Sequence, residues 1–151
     1  MVQTVLRLLA IVILGALLGF GWNSFGGRGI QLDRNVFVKD EDEVIELAEA
    51  RARFARGALF LDAREMELYR LGHIPGAISV PEGEFEKAFP RLEPMLRSRF
   101  DLVVYCSGLG CEASHTVSRW LRQRGIQAAI FTTGWPAWSE AGQPTKKGDE
   151  P

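Results

Sequence analysis

Two cysteines in one short segment of the sequence carry its most reactive side chains. Cys106 follows the apolar run DLVVY, and Cys111 comes just before a stretch with helical spacing. A thiolate is a nucleophile, and backbone N–H groups at the start of a helix stabilise its negative charge. The pair could therefore be a nucleophile with a resolving thiol, a redox couple, or two small buried side chains.

The residues after Cys106 are small and uncharged until the helical stretch begins. Glycines let main-chain amides curl inward around an anion, so the sequence predicts an anion-binding loop around the sulfur of Cys106. A buried, inert cysteine would gain nothing from such a loop, and we therefore expect Cys106 to be the catalytic nucleophile. Cys111 stays open between a candidate resolving thiol and a small packed residue. The predicted loop comprises Ser107, Gly108, Leu109, Gly110, Cys111 and Glu112.

Two polar residues near the cysteines have weaker claims to a chemical role. Glu112 stands where the helix begins and suits the positive end of its dipole, which favours a structural role. His115 lies one helical turn after Cys111 but off the apolar face, which favours a solvent-exposed residue over a proton donor. The cysteine and histidine spacing does not match a zinc-binding pattern, so we expect no metal and no cofactor.

Length and charge limit the class of protein. The chain has 151 residues and a net charge of −1, which gives room for one domain and no electrostatic signature of nucleic-acid binding. We therefore expect no nucleic-acid partner. The predicted organisation is an anchor or signal-like segment over residues 1–25, a linker over 26–35, a domain over 36–144 and a polar tail over 145–151.

The N-terminal segment is apolar on every face. The run LLAIVILGALLGFGW, Leu8 to Trp22, contains no charge and would span roughly 22 Å as a helix. Extending it to residues 5–25 approaches the ~30 Å of a bilayer core, which favours a retained single-pass anchor over a cleaved signal peptide. The side of the membrane stays open, because the positive charges after the segment favour a cytoplasmic domain and its likeness to an export signal favours the opposite.

The remaining sequence alternates between strand-like and helix-like patterns. ALFLD, DLVVY and AAIFTT read as buried strands, and Asn35 to Lys39 reads as a further strand. Asp40 and Glu43 form a capping-box-like pattern that predicts a helix containing Val44. Pro90 and Pro94 predict that the helical turns over residues 83–99 are interrupted. Such alternation is typical of an α/β domain with a largely parallel sheet, whose ligands bind at the carboxyl ends of strands, where Cys106 falls.

Four segments in this order resemble the rhodanese family: FLDAR, GHIPGAISVP, VVYCSG and GWPAWSEAGQP, within residues 36–144. The resemblance implies a small parallel sheet flanked by helices. It also implies that Cys106 accepts sulfane sulfur as a persulfide and passes the outer sulfur to a thiophilic acceptor. Asp62, Arg64 and His73 match motif positions for which the resemblance implies a scaffold role around the GHIPGA turn.

The loop departs from the pattern of familiar sulfurtransferases because it contains no lysine or arginine and has Glu112 at its end. Thiosulfate is a dianion and should bind there poorly, so we expect a polysulfide or a persulfide as the donor and a thiol as the acceptor. A membrane redox protein or a sulfur-carrier protein is a candidate partner. Two alternatives remain: a thiol–disulfide redox module that uses Cys106 and Cys111, and a non-catalytic rhodanese-like binding module.

Overall fold

The computed structural model describes residue 3, residues 6–8 and residues 42–151 of the chain. All features below belong to the compact unit Asp40–Pro151. The predicted linker, the predicted strand at Asn35 to Lys39 and most of the predicted anchor lie outside the described residues. Among the residues that are described, no helix combines the length and the apolar character needed to span a bilayer.

The described unit is built around a five-stranded sheet in which every pairing is parallel. The strand order is β1-β5-β4-β2-β3, so β4 lies at the centre. The predicted α/β class with a parallel sheet is thereby confirmed. The strands are β1 (Val44–Ile45), β2 (Leu59–Asp62), β3 (Ile78–Ser79), β4 (Leu102–Tyr105) and β5 (Ala129–Phe131). The helices are α1 (Leu47–Ala55), α2 (Met66–Leu71), α3 (Phe85–Arg97), α4 (Ala113–Gln123) and α5 (Gly134–Glu140), with a 3₁₀ turn at Glu82–Glu84.

Helices cover both faces of the sheet, and consecutive residues of the central strand point into two separate cores. Leu102 and Val104 pack with apolar residues of α3 and α4. Val103 and Tyr105 pack with apolar residues of α1 and α5, including the fully buried Trp138. A strand covered on both faces must be apolar throughout, which is why DLVVY reads as a continuous apolar run.

The predicted helix start near Asp40 and Glu43 is wrong. Val44 and Ile45 form the edge strand β1, which pairs with Ile130 and Phe131 of β5. Helix α1 begins only at Leu47. The capping-box pattern is a local signal, and here the backbone hydrogen bonds offered by the neighbouring strand outweigh it.

The predicted interruption of the helical turns over residues 83–99 is also wrong. Helix α3 runs from Phe85 to Arg97 with Pro90 and Pro94 inside it. Each proline removes a backbone N–H, which costs helix stability. The helix persists because it buries a face of large apolar side chains, among them Phe85 and Leu96, against the sheet.

Candidate active site

Cys106 lies directly after β4, at the carboxyl edge of the sheet, and only 3% of it is exposed. Residues 107–112 then form a loop that rises to solvent and returns to the start of α4. Leu109 at the crest of this loop is 83% exposed, whereas Gly108 is buried. This order of strand, loop and helix was predicted from the sequence. The order places Cys106 at the start of the loop, where the loop leaves the sheet.

The first turn of α5 packs against the backbone of Cys106 at the start of the loop. The backbone N–H of Trp135 donates to the carbonyl oxygen of Cys106 at 2.9 Å. Gly134 has φ +56°, and a Cβ atom built there would lie 2.2 Å from the same oxygen. Only glycine therefore permits both the backbone conformation and this close approach. The contact of the GWPAWSEAGQP segment with Cys106 was not predicted from the sequence.

Most backbone amides of the loop remain available to an anion. The amide of Cys111 donates to the carbonyl oxygen of Gly108 at 3.1 Å, so one of the amides predicted to surround the anion is already engaged. Within the described residues, the amides of Ser107 to Gly110 and of Glu112 have no backbone acceptor. Glu112 occupies the N-cap of α4 without a side-chain capping bond, so the first N–H groups of the helix are not capped from there.

A disulfide bond joins Cys106 and Cys111 in this structure. Their Cα atoms are 6.3 Å apart, within the range of about 4.4–6.8 Å that disulfides adopt. The backbone of the loop therefore holds the two cysteines at a separation that a disulfide can bridge. In this state Cys106 is not free to act as a nucleophile, and a reductant must open the bond first.

Asp62 and Arg64 form a buried ion pair at the end of β2, beside β4. Arg64 donates from Nε to Oδ1 of Asp62 at 2.9 Å and from Nη2 to Oδ2 at 2.6 Å. Nη2 also donates to the carbonyl oxygen of Gly72 at 2.7 Å, which connects β2 to the GHIPGA turn. The guanidinium lies 4.8 Å from the ring centroid of Trp135 in α5. Burial opposes the charge of Arg64, but the contacts with Asp62 outweigh it and raise the pKa of the guanidinium.

His73 is fully buried in the GHIPGA turn. Its ring contacts residues outside the cysteine loop. Its Nδ1 is 2.9 Å from the carbonyl oxygen of Tyr69, and its ring stacks on that of Tyr69 with centroids 3.8 Å apart. Its Nε2 is 3.1 Å from the carbonyl oxygen of Glu150, and its backbone forms a bridge with Lys146. The residues predicted as a polar tail thus pack against this turn.

Three polar side chains that the sequence analysis did not group meet beside the start of α4. Nδ1 of His115 is 3.2 Å from Oδ2 of Asp42, and Nη1 of Arg122 donates to Oδ1 of Asp42 at 2.5 Å. Burial opposes ionisation of Asp42, but the bonds from His115 and Arg122 outweigh it and hold the pKa of the carboxyl below its usual value. The side chain of His115, for which the sequence favoured a solvent-exposed position, is 32% exposed and also contacts Asp42. No local pattern signals this contact, because Asp42 precedes His115 by 73 residues.

Comparison with known proteins agrees with this architecture. The family model of the rhodanese-like domain matches residues 46–141. An HTH-type transcriptional regulator of Mycobacterium tuberculosis is 32% identical over 114 residues, which cover 76% of this chain and 49% of that protein. A tRNA uridine(34) hydroxylase of Citrobacter koseri is 30% identical over 106 residues, which cover 68% of this chain and 29% of that protein.

Solved structures show the same fold. The crystal structure of a thiosulfate sulfurtransferase from Pseudomonas aeruginosa superposes with a TM-score of 0.57 at 28% identity, and the match covers 72% of this chain and 21% of that one. This chain spans about half or less of the length of these relatives. The family model nevertheless covers well over half of the chain, and its range contains the cysteine loop. The chain belongs to the rhodanese-like domain family.

Proposed function

We propose that this chain is a sulfurtransferase that carries sulfane sulfur on Cys106. The observation that supports this most is the position of Cys106 at the carboxyl end of the central strand, at the base of a loop that opens helix α4. In the reduced protein the Cys106 thiolate attacks the outer sulfur of a donor, and the rest of the donor leaves as a thiolate. The loop amides and the start of α4 stabilise the resulting persulfide anion. An acceptor thiolate then takes the outer sulfur, and Cys106 leaves as a thiolate.

The charge around the loop favours a persulfide or a polysulfide over thiosulfate as the donor. No loop residue is cationic, and Glu112 places an exposed carboxylate where the loop ends. Arg64 lies at the same edge of the sheet, but its guanidinium is already bound by Asp62. Thiosulfate would bring two negative charges to a site with no free counter-charge among these residues, so its turnover should be weak.

Steady-state transfer of sulfur to cyanide tests the proposal. The reduced full-length chain in mild detergent receives either polysulfide or thiosulfate, and thiocyanate is measured. We expect turnover above the uncatalysed rate with polysulfide, much weaker turnover with thiosulfate, and only the uncatalysed rate with Cys106→Ser. Cys111→Ser is the matched control, because it removes the neighbouring thiol and leaves the nucleophile. Undiminished turnover by Cys106→Ser contradicts the proposal, and efficient use of low thiosulfate concentrations contradicts the argument from charge.

A second candidate function, thiol–disulfide exchange, is favoured by the bond between Cys106 and Cys111. In that case two electrons pass between this pair and a dithiol partner, and no sulfur atom is transferred. Cys111→Ser separates the two functions. It leaves persulfide formation on Cys106 possible, but it abolishes the two-electron oxidation of an added dithiol by the disulfide form.

Attachment to a membrane forms part of the proposal and is supported by the uncharged run from Leu8 to Trp22. A bilayer-held sulfurtransferase would serve a membrane redox protein or a sulfur carrier near the surface. Alkaline carbonate extraction of membranes tests this directly. Retention of the full chain in the pellet is the expected result, and complete release into the supernatant contradicts a spanning anchor.

A further inference from the structure

His115, one member of the Asp42–His115–Arg122 cluster, lies four residues after Cys111, which is about one helical turn. The N-cap residue Glu112 already has helical dihedrals, φ −75° and ψ −17°, and α4 continues from Ala113. The distance between the Cα atoms of residues 111 and 115 is set by the backbone dihedrals of residues 112–114. Because those dihedrals are helical, the two Cα atoms lie about 6 Å apart, as in neighbouring residues on one face of a helix. Helical side chains tilt toward the N-terminus, which directs His115 toward the loop.

Among the residues that the structure describes, the contacts of His115 involve Nδ1 and not Nε2, which can therefore exchange a proton. Nδ1 faces Oδ2 of Asp42 at 3.2 Å, and a carboxylate accepts a hydrogen bond. In the neutral ring Nδ1 then carries the hydrogen and Nε2 carries the lone pair, which makes Nε2 a proton acceptor. Arg122 holds the other oxygen of Asp42 at 2.5 Å and so fixes the carboxylate that orients the ring. Among the described residues, Asp42 contacts the ring, Arg122 contacts Asp42, and Glu112 stands three residues before His115.

We propose that His115, oriented by Asp42, moves the proton that allows Cys111 to discharge a Cys106 persulfide as hydrogen sulfide. This inference rests on the proposed persulfide chemistry of Cys106 and assigns it a product. In this scheme the Cys106–Cys111 disulfide is the state of the protein after the persulfide sulfur has been released. A nucleophile whose base is oriented by a third group is a recurring catalytic arrangement.

The atoms and electrons of this step balance. The sulfur of Cys111 attacks the inner sulfur of the persulfide, and the bond between the inner and outer sulfurs breaks. Nε2 of His115 takes the thiol proton of Cys111 and delivers it to the outer sulfur of the persulfide anion. That sulfur leaves as hydrosulfide (HS⁻), which becomes hydrogen sulfide when it takes a proton from water. Two electrons pass from the cysteine pair to that sulfur, which leaves the Cys106–Cys111 disulfide. An external dithiol then reduces the disulfide and becomes a disulfide itself, so the domain acts as a persulfide reductase.

A single-turnover experiment separates the species by mass. The reduced full chain is mixed with one equivalent of glutathione persulfide, quenched with acid and followed by intact mass and released sulfide. The wild-type chain should pass through a form heavier by about 32 Da and finish as one lighter by about 2 Da, with sulfide released in step. His115→Gln and Asp42→Asn should accumulate the heavier form and slow sulfide release on the order of 100-fold. Arg119→Gln, an exposed change on the same helix, is the matched control.

Two further measurements distinguish proton transfer from a merely structural effect. Added imidazole should restore sulfide release by His115→Ala in proportion to its concentration, since the ring site is partly open to solvent. In the Cys106→Ser chain, alkylation of Cys111 by iodoacetamide should slow several-fold when His115 is also changed to Gln.

The outcomes are distinct. Accumulation of the persulfide in the wild-type chain with no disulfide overturns the discharge step and leaves the proposed sulfur transfer standing. Sulfide release at the wild-type rate by His115→Gln overturns the role of the histidine. Absence of any persulfide in both the wild-type chain and Cys111→Ser overturns the proposed function itself, and this inference falls with it.

Discussion

Replacing Gly134 by alanine should destabilise the fold through the loop that carries Cys106. Gly134 has φ +56°, and its added Cβ atom would lie 2.2 Å from the carbonyl oxygen of Cys106 and 3.0 Å from the amide nitrogen of Gly108. Both neighbours are backbone atoms, so neither can rotate away. The loop or the first turn of α5 must shift, and the hydrogen bond from Trp135 to Cys106 would be lost with that shift.

Gly142 provides a matched control for this substitution. It also has a positive φ, +63°, but an added Cβ there meets no atom within 4 Å. Both alanine variants bear the cost of a left-handed conformation, about 1–2 kcal/mol. Only Gly134→Ala adds the clash, for which forced overpacking costs about 1–3 kcal/mol more. We therefore expect a loss of about 2–5 kcal/mol for Gly134→Ala and about 1–2 kcal/mol for Gly142→Ala.

Urea unfolding of the disulfide form, followed by tryptophan fluorescence, measures both losses on one scale. Trp138 lies within α5 and is fully buried in one core, so its emission reports on the affected region. The free energy of unfolding in water is compared for the two variants and the wild-type chain. Equal losses for both variants would refute the inference that α5 supports the loop by close backbone contact.

Three further predictions concern the polar groups. Arg64→Met leaves the carboxylate of Asp62 buried without its partner and should cost about 3–5 kcal/mol in urea unfolding; a loss below about 1 kcal/mol would contradict this. The folded-state pKa of Asp42 lies below its usual value, so its contribution to stability is present above the unfolded pKa of about 3.9 and is lost as pH falls through the folded value. The stability gap between wild type and Asp42→Asn should therefore shrink toward about pH 2, and a constant gap would contradict the assignment. Burial raises the pKa of Tyr69 to about 12 and raises that of Tyr105 as well, so ultraviolet titration of the native chain should show little tyrosinate at pH ~10, where the unfolded chain is half-ionised.

The parts of the fold that were predictable are those that local sequence determines. Strands β2 and β4 are apolar throughout because helices cover both faces of the sheet, and their ends fall at Asp62 and Tyr105 as the apolar runs suggested. The position of Cys106 follows from the same pattern, since the residue after a buried parallel strand lies at the carboxyl edge. The four segments that resemble the rhodanese family indicated the order of the remaining helices and strands.

The parts that were missed depend on contacts between distant residues. Val44 and Ile45 form a strand because they pair with the edge of β5. The residues of β5 lie more than 80 positions later in the sequence, so the residues near Val44 carry no signal of this pairing. The orientation of His115 depends on Asp42, far earlier in the chain. Helix α3 continues through Pro90 and Pro94 because its apolar face is buried, so packing outweighs a local penalty.

Peptide mapping of the persulfide tests whether Cys106 carries sulfur. The reduced Cys111→Ser chain is treated with polysulfide, alkylated, digested and analysed by mass spectrometry, so that no resolving thiol removes the product. We expect an added mass of about 32 Da on the peptide containing Cys106, and none when Cys106 is also changed to Ser. Unmodified Cys106 after exposure to both polysulfide and thiosulfate would contradict this expectation.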